Sequence, residues 1–191
     1  MMVDRSYHHG DLRRALLVAA DAVITEKGLA RVSLRDLARR AGVSHAAPAH
    51  HFGDKAGLLT AFAAEGYELL AATLTEAQER TGDFLDVGVA YVRFALAHRA
   101  HFEVMYRPDL YHADDPAVQG ARERARDALY AGISSLPEEQ TGPDHRLAGV
   151  AAWSLVHGFA TLCLTGALPG DLDQDPAAAA RAVAEILFRK P

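Results

Sequence analysis

Five residues in one short run, His45, Ala46, Ala47, His50 and His51, are the densest concentration of recognition chemistry in the chain. An imidazole donates to or accepts from a base edge or a phosphate, and an alanine methyl can meet the methyl of thymine. Arg35, Arg39 and Arg40 precede the run and Lys55 follows it. These cations suit phosphate oxygens, and each phosphate neutralised makes binding more salt-dependent. The run itself lacks Arg and Lys, so it offers no bidentate contact to guanine. Metal binding fits poorly. Neighbouring helical residues such as His50 and His51 point about 100° apart, and no carboxylate or cysteine stands at ligand spacing to complete a site. Catalysis would need a nucleophile or carboxylate beside a histidine, and no GxSxG, HExxH, P-loop or Rossmann fingerprint occurs. No catalytic residue, cofactor or metal is therefore expected.

Helices must present that run. Ser33 can cap one, with Asp36 three residues on. Leu34, Leu37, Ala38 and Ala41 then form an apolar stripe, and Gly42 stops the helix. Ser44 is placed to cap a second, shorter helix ending near Phe52, and Asp54 a third with Lys55 in its first turn. With Ser44 as cap, Pro48 falls at the fourth helical position, one place too deep, so a tight or distorted first turn is expected. Two helices joined by such a glycine turn make a helix-turn-helix, spanning about residues 32–51, whose second member fits a major groove.

The segment SLRDLARRAGVSHAAPAHHFGDK, residues 33–55, resembles the DNA-binding segment of TetR-family transcriptional repressors. The likeness extends back through YHHGDLRRALLVAADAVITEKG and forward to Leu59. Trp153, His157 and Gly158 are similar to the Trp–His–Gly signature of a C-terminal domain in one branch of that family. The resemblance implies a DNA-binding domain over residues 1–54 and a helical effector-binding and dimerisation domain over residues 55–191. It also implies a homodimeric repressor, an inverted-repeat operator in double-stranded DNA and a small-molecule effector. The DNA-facing set it suggests is Ser33, Arg35, Ser44, His45, Ala46, Ala47, His50, His51 and Lys55. The family usually has a tyrosine where this chain has Ala49, which removes one backbone contact.

Composition agrees with a helical reading. Half of the 191 residues are hydrophobic, enough for a real core. Alanine and leucine dominate and no period-2 run appears, so an all-α fold of about nine helices is expected. The single cysteine, Cys163, excludes an intramolecular disulfide framework. Net charge is −5, but residues 1–65 carry nine Lys/Arg against seven Asp/Glu, and the remainder eleven against eighteen. That asymmetry suits a nucleic-acid surface on an acidic body. No basic-then-apolar leader precedes Arg5, so a cytoplasmic location is the default.

Along the chain, residues 1–8 read as a flexible arm and a first helix runs from His9 or Gly10 to Glu26. A long helix from Lys55 to about Arg80 follows the helix-turn-helix, and five further helices follow that one. No charge occurs between Arg146 and Asp171. Such a run is weighed against a membrane span, but Ser154, His157, Thr161 and Thr165 interrupt it and no basic cluster flanks it. Burial against a second subunit is the more economical answer. Ser154, Gly158 and Thr161 on one face, with Val183 and Leu187 of the last helix, are the candidate dimer interface. Phe94, His98, Phe102, Met105, Tyr106, Trp153 and His157 supply aromatic and soft apolar walls with polar tips, as in an effector pocket. The same residues also read as ordinary helical core. Two further functions stay open at this stage: an interaction module that has lost DNA binding, and a histidine-dependent enzyme.

Overall fold

Alanine- and leucine-rich stripes broken by glycine turns set the architecture, and every regular element among the described residues is helical. The structure, a computed structural model, describes residues 5–133, 136, 141, 143–170, 172 and 174–188, with the side chains of 5–11, 187 and 188 outside the description. Its α-helices are α1 (Arg5–Lys27), α2 (Leu34–Arg40), α3 (Ala47–Phe52), α4 (Lys55–Thr81), α5 (Phe84–Ala97), α6 (Arg99–Met105), α7 (Pro116–Tyr130), α8 (His145–Thr165) and α9 (Pro176–Phe188). Short 3-10 turns lie at Leu29–Arg31 and Pro108–Leu110. The expected all-α fold is the one observed. The arm expected over residues 1–8 is already helical from Arg5, and residues 1–4 lie outside the described residues. Two compact units result, Met1–Gly66 with Ala100–Gln119, and Tyr67–Arg99 with Gly120–Pro191.

In the first unit, Leu16, Ala20 and Val23 of α1 recur at helical spacing and are fully buried, as are Leu37 and Ala38 of α2 and Leu58 and Leu59 of α4. Burying each large aliphatic side chain contributes about 1.5–3 kcal/mol, so this small core fixes the angle between α1, α2 and α4. Asp54 caps α4, its carboxylate accepting from the Gly57 amide at 2.8 Å. Gly57 is glycine for a steric reason. A Cβ there would lie 2.0 Å from the Phe52 carbonyl oxygen, at the end of α3. The carbonyl can approach only because no side chain blocks it, and this lets α4 start directly after α3.

In the second unit α5 is the central helix. Val87, Tyr91, Val92, Phe94 and Ala95 are all at most 2% exposed, with α8 and α9 packed beside it. Carboxylates start the surrounding helices: Asp83 accepts from the Leu85 amide, Asp144 from Arg146 and Leu147, and Asp175 from Ala178. Asp175 precedes Pro176, whose missing N–H is harmless at a first helical position. Arg181 of α9 donates to Asp83 at 2.7 Å and also to Asp86, tying the last helix to α5. α8 is long and apolar enough to cross a membrane by length and composition, with one third of its most apolar window buried.

Candidate nucleic-acid interface and effector region

The geometry after α2 follows from backbone needs. Ala41 closes α2, Gly42 takes a left-handed φ of 68°, and the Val43 amide returns to the Ala38 carbonyl at 3.0 Å. The next helix departs from expectation. Residues 45 and 46 form a turn, closed by the Ala47 amide on the Ser44 carbonyl at 3.0 Å, and α3 begins at Ala47. His45 and Ala46 therefore precede the helix instead of opening it. The cause is Pro48. Beginning at Ala47 moves it from the fourth to the second helical position, where its missing donor would have had no partner anyway. Pro48 is buried, while Ala46, Ala49 and His50 face solvent and Ala47 and His51 are half-buried. Ser33 stands at the N-cap of α2 in extended backbone, but neither it nor Ser44 makes a side-chain cap hydrogen bond. Both hydroxyls are exposed.

The basic residues divide by partner. Arg40 donates to Glu26 at 2.9 Å and stands 3.4 Å from Asp36, so it links α2 to α1. This pairing holds the Glu26 carboxyl below its usual range and raises Arg40. Arg39 pairs with Asp36 one turn earlier, which lowers the Asp36 carboxyl. Arg35 is exposed and has no ion pair among the described residues. The Lys55 ammonium donates to the Leu29 carbonyl at 3.4 Å, anchoring the start of α4. Arg13 lies 5.8 Å over the Phe52 ring, a cation–π contact that braces α3 from α1. The His50 and His51 rings meet edge-on at 74°, and no cluster of three metal-ligating groups occurs among the described residues.

The seven candidate pocket residues fall in different units. In the second unit the Trp153 indole N–H donates to the Tyr91 hydroxyl at 3.3 Å, and that hydroxyl lies 3.0 Å from His157 Nδ1. Trp153 and His157 sit one turn apart on α8, while Phe94 stacks on His98 at 5.0 Å. Phe102 and Tyr106 pack together at 5.0 Å in the first unit, and Met105 is 1% exposed, its carbonyl accepting from the Tyr111 hydroxyl. Tyr91 was not among the residues expected; its only sequence signal is a phenol three positions before Phe94.

Burial pushes the His157 imidazole below its ordinary value, and a neutral ring accepts the Tyr91 O–H at Nδ1. Because the folded value is depressed, this group's contribution is complete above about pH 6.5. It is lost as pH falls through the lower folded value. Acidification from neutral pH should therefore destabilise the wild type more than His157→Gln. Parallel pH profiles of the urea midpoints would refute the neutral imidazole.

Along α8, Leu147, Val150, Ser154, Gly158, Thr161 and Leu162 fall within one face of about 120°. Leu147, Val150 and Leu162 are 65%, 42% and 44% exposed, and Ser154 and Thr161 are exposed too. The two hydroxyls bond back to carbonyls of their own helix, leaving the face uncharged and apolar. On α9, Ile186 is 69% exposed and Val183 half-buried, and the Leu187 side chain lies outside the described residues.

A glycine turn followed by a short helix held from behind by a buried proline, joined to an all-helical second unit, defines a helix-turn-helix regulator. The chain belongs to the TetR family. Residues 16–62 match the family described as bacterial regulatory proteins, tetR family, and residues 84–187 match the tetracyclin repressor-like C-terminal domain. Among solved structures, a protein of unknown function from Rhodococcus sp. RHA1 is 35% identical, with a TM-score of 0.80 over 97% of this chain and 98% of that one. PfmR, a TetR family transcriptional regulator from Thermus thermophilus, is 25% identical, with a TM-score of 0.70 over 91% and 97% of the two chains. The multidrug binding protein EbrR, complexed with imidazole, shares the fold at 22% identity and a TM-score of 0.57 over 94% and 96%. No curated protein matches the sequence. The protein is a TetR-family transcriptional regulator with a helix-turn-helix DNA-binding domain.

Proposed function

We propose that the protein is a cytoplasmic homodimeric repressor that binds an inverted-repeat operator and is released by a small molecule. In this reading residues 1–54 bind DNA and residues 55–191 carry the effector site and the dimer seam. His45, Ala46, Ala47, His50 and His51 meet base edges, and Ser33, Arg35, Ser44 and Lys55 meet phosphates. The observation that carries it is the presentation of α3, with Ala49 and His50 exposed while Pro48 is buried behind them. The uncharged face of α8, with Ile186 and Val183 of α9, supports a twofold seam. Such a seam sets two α3 helices about 34 Å apart. The Tyr91–Trp153–His157 cluster supports both the Trp–His–Gly branch and an effector site beside α8, to which EbrR's binding of small molecules lends a precedent.

A gel shift against DNA upstream of the chain's own gene tests the reading. One dimer per inverted repeat, weakening as salt rises, is the expected result. A folded dimer that shifts no inverted repeat at low salt would leave an interaction module instead. Arg35→Ala should weaken binding to all sequences alike and lower the salt slope by about 0.9. Lys55→Ala should do the same and also lower the melting temperature, because it loses the Leu29 carbonyl. An unchanged salt slope in both variants would remove the phosphate role. Trp153 is the single tryptophan, so its fluorescence reports directly on an effector bound beside it.

A further inference from the structure

In the second unit α4, α5 and α9 enclose a cleft of about 370 Å³, within the roughly 300–1,000 Å³ of small-molecule sites. Its floor is apolar: Ala77, Val89 and Ala90 line it and are at most 8% exposed. Its walls carry three acids, Glu76, Asp86 and Asp175, and three arginines, Arg80, Arg93 and Arg181. Half of these charges are already committed. Arg181 donates to Asp83 and Asp86 and lies 3.4 Å from Glu185, and Asp175 accepts from the Ala178 amide. The Thr73 hydroxyl on the rim is committed too, to the Leu69 carbonyl. Arg80, Arg93 and Glu76 are exposed and make no ion pair or hydrogen bond among the described residues. Glu76 lies one helical turn before Arg80, so the charged groups without a partner are two guanidinium groups and one carboxylate, while the six charges lining the cleft sum to zero.

From this we infer that the cleft is a binding site for a small organic monocarboxylate with an apolar body. Its carboxylate pairs with Arg80 and Arg93, whose planar donor forks match a carboxylate, and its hydrocarbon lies over Ala77, Val89 and Ala90. A monocarboxylate offers both forks its two oxygens while bringing a single negative charge near Glu76, Asp86 and Asp175; a dianion brings two. Tyr91, Trp153 and His157 do not line this cleft, so the site is additional to the effector region proposed above and does not depend on it.

The test is a titration of the full-length, ¹⁵N-labelled protein followed at the arginine Nε–H resonances, at constant ionic strength and without DNA. The probes are benzoate, phenylacetate and hexanoate, with benzamide and inorganic phosphate as controls. At least one carboxylate should shift Arg80 and Arg93 saturably while benzamide does not. Arg80→Gln or Arg93→Gln should each weaken that binding about tenfold, as expected for loss of a charge-assisted pair. Melting temperatures should stay unchanged, because both side chains are exposed. Glu76→Gln should raise the affinity for phosphate. Binding by none of the three carboxylates, equal binding of benzamide, full affinity in the double arginine variant, or phosphate binding as tightly as benzoate in the unaltered protein would each overturn the assignment.

Discussion

Replacing Gly158 by leucine should leave each subunit of the proposed dimer folded and separate the two. A Cβ at Gly158 meets nothing within 4 Å in the single chain, so the fold of one subunit has no steric objection to a side chain there. The cost falls on whatever covers the face formed with Leu147, Val150, Ser154, Thr161 and Leu162. In a twofold seam each substitution occurs twice. Overpacking at about 1–3 kcal/mol per site, counted twice, raises the dimer dissociation constant about 30-fold or more. Sedimentation should show monomers at micromolar concentration, with far-UV dichroism and melting of the isolated subunit retained. DNA affinity should collapse in parallel, because one α3 helix alone cannot engage two half-sites. A dimer that survives this substitution intact would place the seam elsewhere.

Gly57→Ala should do the opposite, damaging the fold before any assembly is considered. The added methyl would sit 2.0 Å from the Phe52 carbonyl oxygen, and that atom is backbone, so no rotamer change relieves the clash. Either α3 or the first turn of α4 must shift, at about 3 kcal/mol or more, which corresponds to a fall of roughly 6–12 °C in melting temperature for a chain of this size. The same displacement should abolish operator binding, since α3 is placed by its junction with α4 and by Arg13 over Phe52. A variant with wild-type melting and wild-type DNA affinity would show that the α3–α4 junction is more compliant than its geometry implies.

The elements that announce themselves by local chemistry were legible in the sequence. Gly42 and the stripe of Leu34, Leu37 and Ala38 act on neighbours a few residues away, and they define α2 and the turn. The start of α3 was misread for a local reason too. Ser44 is a good cap by type, but Pro48 tolerates only the first turn, and the proline's steric demand outweighed the serine's hydrogen bond. Long-range partners were not legible. Arg40 meets Glu26 across 14 positions and Tyr91 meets His157 across 66, and no periodicity ties such pairs together. The cleft around Arg80 and Arg93 exists only once α9 packs beside α4 and α5, which lie far earlier in the chain. The uncharged face of α8, by contrast, was visible because a run without charge needs no partner to be seen.

The brevity of α3 has a consequence for what kind of message the regulator can read. Six residues rise about 9 Å, fewer than three base-pair steps of 3.4 Å, and none of them is arginine or lysine. In the proposed dimer each half can spell only a few letters, and weakly at guanine. Discrimination among genomic sites then leans on the spacing and symmetry of the two halves and on how readily the intervening duplex bends. Targets should tolerate letter changes more than insertions.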